Sequence, residues 1–138
     1  VTEQQNLPVT GTAPRSLQNV QKRDTLFTQE RASVVNAVKR RPHQAVARAV
    51  KGAQKLVADD QAKQALNVLT LAKDLVEKAA PADATDYYLA LASIHQHMGS
   101  IAPAQRALTQ AQEHLQAQDV PTNSQKSALE KLADSLSV

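Results

Sequence analysis

The 138-residue sequence has no cysteine, no tryptophan, one phenylalanine, two tyrosines and three glycines. Without cysteine there is no disulfide framework, thiolate metal site or thiol nucleophile. So few aromatics and glycines leave little for a β-sandwich and nothing for a glycine-rich phosphate loop. No run approaches the roughly 20 apolar residues of a membrane-spanning helix. No nucleophile elbow, dinucleotide fingerprint or paired acid and base occurs, and Ser33, Ser93 and Ser127 stand outside any motif. His95 and His97, two apart, would point away from each other on a helix and could not clamp one metal ion. These absences point to a protein that is not an enzyme and carries no cofactor or metal.

Alanine (24) and glutamine (16) dominate what is there. Both favour helix, and much of the apolar content is small. A composition of 42% hydrophobic and 21% charged residues fits one globular domain. The net charge of +3 hides an asymmetry. Residues 15–55 hold ten basic against two acidic side chains, a local balance of +8, whereas residues 56–138 balance to −4.

Residues 1–23, with Pro8, Gly11 and Pro14, sustain no period and read as an irregular polar tail. Leu7, Val9, Leu17 and Val20 are its possible anchors on a partner. From Asp24 the pattern is helical throughout, so residues 24–138 are expected to form an all-α domain. Leu26, Phe27, Val34, Val35 and Val38 mark a helix over about 24–40, stopped by Pro42. Val46, Val50, Ala53 and Val57 share one face of a helix over about 43–58. A third helix is expected over 61–79, with Ala65, Leu69, Ala72 and Val76 on one stripe. Beyond Pro81, Asp83 would cap a helix over about 84–98 whose inner face is Tyr88, Leu91, Ala92 and His95. A fifth starts near Ile101 and carries Ala104, Leu108 and Ala111. Pro121 would open the last, with Leu129, Leu132 and Leu136 inward.

Two of these helices share a pattern. Ala65-Leu69-Ala72 and Ala104-Leu108-Ala111 have the same spacing, 39 residues apart. The stretch from Thr85 to Ala117, with Tyr88, Leu91, Ala92, Gly99, Ala104, Leu108 and Ala111, resembles a tetratricopeptide repeat. His43 to Ala79 resembles a looser copy, with Asp60 where the family's turn has glycine and Ala49 where an aromatic is usual. The resemblance implies antiparallel helical hairpins at about 43–79 and 84–117, flanked by helices over 24–40 and 121–137. It also implies a concave surface, lined by the first helix of each hairpin, that holds a partner protein or peptide. Gln44, Arg48, Lys51, Tyr87 and Gln96 match polar positions on those helices.

The basic segment is the other candidate. Arg48, Lys51 and Lys55 fall on one helical stripe, and Lys39, Arg40 and Arg41 end the helix before it. An anionic partner and a merely solvated face both fit this pattern. The lack of aromatics beside the cations disfavours nucleic acid. Peripheral contact with an anionic membrane remains open, and an acidic protein surface is the least constrained partner. Tyr87 reads either as an interface anchor or as a ring lying over the neighbouring hairpin. The expectation is a scaffold or adaptor subunit of a larger assembly. The polar start without an initiating Met fits either a processed bacterial envelope protein or an excised piece.

Overall fold

A computed structural model describes residues 15–136, with side chains from residue 25. The expected anchors Leu7 and Val9 lie outside the described residues. The elements are α1 (Arg15–Arg40), α2 (Pro42–Ala58), α3 (Ala62–Leu71), a 3-10 segment (Lys73–Lys78), α4 (Pro81–His97), α5 (Ile101–Gln116) and α6 (Asn123–Leu136). No strand occurs among the described residues, so the fold is all-α as expected.

Prolines set the helix starts. Arg41 (φ −138°, ψ 62°) and Ala80 (φ −58°, ψ 145°) are both held out of helical conformation by the prolines that follow. Pro42 and Pro81 then occupy first-turn positions, where a missing N–H costs nothing. Helix α4 thus begins at Pro81, three residues before the expected start, and Asp83 lies in its first turn rather than capping it. Helix α6 begins two residues after Pro121, and the Thr122 hydroxyl accepts from the Gln125 N–H at 3.1 Å.

Two boundaries depart further from expectation. Helix α1 starts at Arg15, so residues 15–23 are helical rather than irregular. Extending an existing helix needs no new nucleus, and this stretch is rich in Arg, Lys, Gln and Leu, which propagate helix well. The expected continuous helix over 61–79 instead tightens after Leu71 into the 3-10 segment. There Ala72 and Leu75 donate to the carbonyls three residues back, at 3.1 and 3.0 Å.

The hairpin turns repeat each other at a spacing of 39 residues. Gln61 N–H reaches the Leu56 carbonyl at 2.8 Å and Asp60 N–H reaches Val57 at 3.0 Å. In the second turn Ser100 reaches His95 at 2.8 Å and Gly99 reaches Gln96 at 3.0 Å. Both are Schellman closures. Asp60 (φ 61°) and Gly99 (φ 78°) hold the same left-handed position. The aspartate therefore performs a glycine's backbone task.

Small residues let the helices approach. Ala45, Ala49, Ala53, Ala65, Ala72, Ala92, Ala104 and Ala111 are fully buried, in agreement with the close-contact spacing read from the sequence. Gly52 does the same for α1. A Cβ there would lie 3.0 Å from Glu30 Oε1 and 3.4 Å from Val68. Helices α1 to α4 enclose one cluster built on Val34, Leu56, Val68, Leu69 and Ile94. A smaller one joins Ala92 of α4 to Ala104, Ala107 and Leu108 of α5 and Leu136 of α6. Since α4 belongs to both clusters, its burial is spread around the helix rather than confined to one stripe.

Candidate functional site

Helices α2, α4 and α6 together wall a groove of about 390 Å³. Its apolar floor comes from Ala53, Val57, Leu89 and Ile94, while Gln54, Ser93 and Ser124 stand exposed at its edge. Asp86 is its charged group. One Asp86 carboxylate oxygen accepts from Gln125 Nε2 at 2.9 Å.

The third wall is fixed by a network of amides. Gln125 is buried, and besides Asp86 its Nε2 donates to the Ala82 carbonyl at 3.0 Å. Gln118 donates to Gln125 Oε1 at 3.0 Å and to the Thr85 hydroxyl at 2.9 Å. The Thr85 hydroxyl itself donates to the Pro81 carbonyl at 2.7 Å. Every polar atom of the Gln125 amide is thus engaged, which is what makes burying it affordable.

None of the nine side chains nominated from the sequence lines this groove. Gln44 is exposed at the start of α2 and Gln96 is half-buried near the end of α4. Tyr87, expected to be the more exposed tyrosine, is 3% exposed and donates its hydroxyl to the Leu69 carbonyl at 3.1 Å. Burial, with smaller contributions from Tyr88 and Asp74, pushes its phenol up to about 12. Tyr88, expected to be buried, is half-exposed and lies flat on the His114 ring, with centroids 5.2 Å apart. The repeat register predicted the opposite assignment. It is overturned because α3 is close enough for Tyr87 to reach its backbone.

The basic stripe is also divided. Glu30, only 6% exposed, accepts from Arg48 Nη2 at 2.7 Å, while Arg48 Nε donates to the Ser33 hydroxyl at 2.7 Å. Lys55 Nζ lies 3.7 Å from the other Glu30 oxygen. Arg48 is therefore tied to a buried carboxylate, while Lys55 leans toward the same group with most of its side chain still exposed. Lys39, Arg40, Arg41 and Lys51 are exposed and have no acidic partner among the described residues.

A shallower surface pocket between α4 and α5 is lined by Tyr88, Leu91, His95 and Arg106. The His95 Nδ1 is buried without a hydrogen-bond partner, and burial together with the Arg106 charge lowers the imidazole pKa. Among the described residues, no three His, Asp or Glu side chains gather at metal-binding distance.

The groove was partly readable. Applying the 39-residue offset places Gln54 on Ser93, and both stand at the groove's edge. What the offset could not supply was α6, whose register follows no repeat. Comparison with protein families, with characterised proteins and with solved structures finds no match for this chain. No helix among the described residues is long and apolar enough to cross a membrane.

Proposed function

We propose that this chain is a non-enzymatic interaction module of tetratricopeptide-like hairpins, working as a scaffold or adaptor subunit within a larger assembly. The observation that carries this reading is the groove, walled by three helices that alternate along the chain with those behind them. The recurrence of one turn geometry at Asp60 and Gly99 supports it. So does the burial of alanines at the close-contact positions.

The partner presents apolar side chains to the floor formed by Val57, Leu89 and Ile94. Gln54, Ser93 and Ser124 pair with its backbone polar groups, and Asp86 favours a cation at one point. A groove of this kind selects by shape and by a few placed polar contacts.

Photo-crosslinking residues introduced at Ser93 and at Ser124, in cells of the native source, test the proposal. Both sites should capture the same protein, while the same residue at Asn67, exposed on α3, should not. Ser93→Trp, which fills the groove from an exposed position, should abolish capture from Ser124. Equal capture from Asn67 would show that the groove is not the binding face.

A further inference from the structure

The structure separates the cations of the basic segment into two groups with different neighbours. Arg48 and Lys55 are held by Glu30. Lys39, Arg40 and Arg41, at the corner where α1 turns into α2, are exposed and unpaired among the described residues. The 3-10 segment brings Lys78 to the same corner. Lys78, Leu75 and Ala79 face Pro42 and His43 across a recess of about 220 Å³. The acids of that segment, Asp74 and Glu77, do not line the recess. Helix α2 begins here with no acid in its first turn and no side-chain cap, so the positive end of its dipole adds to the same field.

We infer that this corner is a second docking surface, independent of the groove, for an acidic peptide segment carrying one aliphatic side chain. Carboxylates meet Arg40, Arg41 and Lys78, and the aliphatic group enters the recess against Leu75 and Ala79.

Shape and charge together select this occupant. The recess is smaller than the roughly 300–1,000 Å³ that enclose whole small-molecule ligands, and its size suits a single side chain. Guanidinium groups pair with carboxylates through two parallel hydrogen bonds, which rewards a peptide acid over a diffuse negative field. A membrane surface fits less well. Among the described residues, the large apolar side chains that stand exposed are Ile101 and Val120, on α5 and the loop after it, so the corner shows none to insert. Each Lys or Arg near an anionic bilayer adds only about 1 kcal/mol. Nucleic acid lacks a stacking platform, since Phe27, Tyr87 and Tyr88 all pack elsewhere.

The test is fluorescence anisotropy with a labelled hexapeptide, Asp-Glu-Leu-Asp-Glu-Asp, and its Leu-to-Ser counterpart. The wild-type protein should bind the leucine probe, more tightly at low salt, and bind the serine probe several-fold more weakly. Arg40→Glu with Arg41→Glu should lower affinity about tenfold or more. Lys78→Glu should also lower it, while Lys63→Glu, exposed on α3, should leave it within about twofold. All four positions are solvent-exposed, and circular dichroism checks that each variant keeps its helix content. Vesicles containing phosphatidylserine should not retain the protein at physiological salt. Three outcomes overturn the inference: no probe binding, equal affinity for the two probes, or vesicle retention that Arg40→Glu/Arg41→Glu abolishes while probe binding persists.

Discussion

The Tyr87 hydroxyl donates to the Leu69 carbonyl at 3.1 Å, two residues before α3 ends and the backbone tightens. The same carbonyl accepts from Ala72 N–H at 3.1 Å, three residues on, as in a 3-10 turn. One phenol from α4 thus completes the carbonyl's bonding at the point where the regular ladder stops.

This contact predicts an alkaline transition. The Tyr87 phenol titrates near 12 in the folded chain against about 10 when unfolded, so its neutral form favours folding. That contribution is complete below pH 10 and is lost as pH rises toward 12. With no tryptophan and two tyrosines, absorbance at 295 nm should resolve a late-titrating phenol that disappears in Tyr87→Phe. Tyr87→Phe should also cost about 1 kcal/mol at neutral pH by urea denaturation.

The equivalent turns predict opposite signs for opposite substitutions. Asp60→Gly relieves a left-handed backbone conformation that a Cβ disfavours and should raise stability by up to about 1 kcal/mol. It loses only the exposed pair between Asp60 and His97 at 3.6 Å, a contact of little worth. Gly99→Ala should lower stability by about 1 kcal/mol. A Cβ at Gly99 would meet nothing within 4 Å, so the loss there is conformational and not steric. Thermal unfolding of both variants checks the pair.

Arg48 and Lys51 should behave differently despite sharing a stripe. Arg48→Ala leaves the Glu30 carboxylate with Lys55 alone and should cost about 2–3 kcal/mol. Lys51→Ala, exposed and unpaired among the described residues, should stay within about 0.5 kcal/mol. Equal losses in chemical denaturation would show that Glu30 does not depend on Arg48.

Gln125→Leu removes two donated bonds and one accepted bond while keeping most of the volume. It removes the second donor to the Ala82 carbonyl and leaves Gln118 without one of its acceptors. A loss of about 1–3 kcal/mol is expected, with hydrogen exchange accelerated first in α6.

How far the sequence announced this structure depends on which interactions fix each part. Helices and turns were legible because local chemistry sets them: Pro42 and Pro81 punctuate, and Gly99 closes a helix. The alanine spacing from Ala65 to Ala111 also revealed which faces meet. The 3-10 segment was not legible, since the apolar spacing runs through it unbroken and its surroundings come from elsewhere in the chain, with the Tyr87 hydroxyl on the Leu69 carbonyl just before it. Exchanging Tyr87 for Tyr88 has the same origin, because adjacent residues differ only in what lies opposite them. The basic stripe could not be divided from the sequence for want of one buried acid. Glu30 looked like a minor subtraction from ten basic charges, yet its position against Gly52 sets the neighbours of Arg48 and Lys55.

The amide network around Gln125 has a thermodynamic consequence for the groove. A molecule seated there touches α6 as well as α2 and α4, so its binding energy is shared with the docking of the last helix. By mass action, a ligand at about one hundred times its dissociation constant adds about 2.7 kcal/mol against release of that helix. Conversely, anything that loosens the Gln125 contacts would weaken the hold on a molecule seated in the groove by the same coupling. The closing helix is therefore both wall and gauge: its amide exchange reports whether the groove is filled.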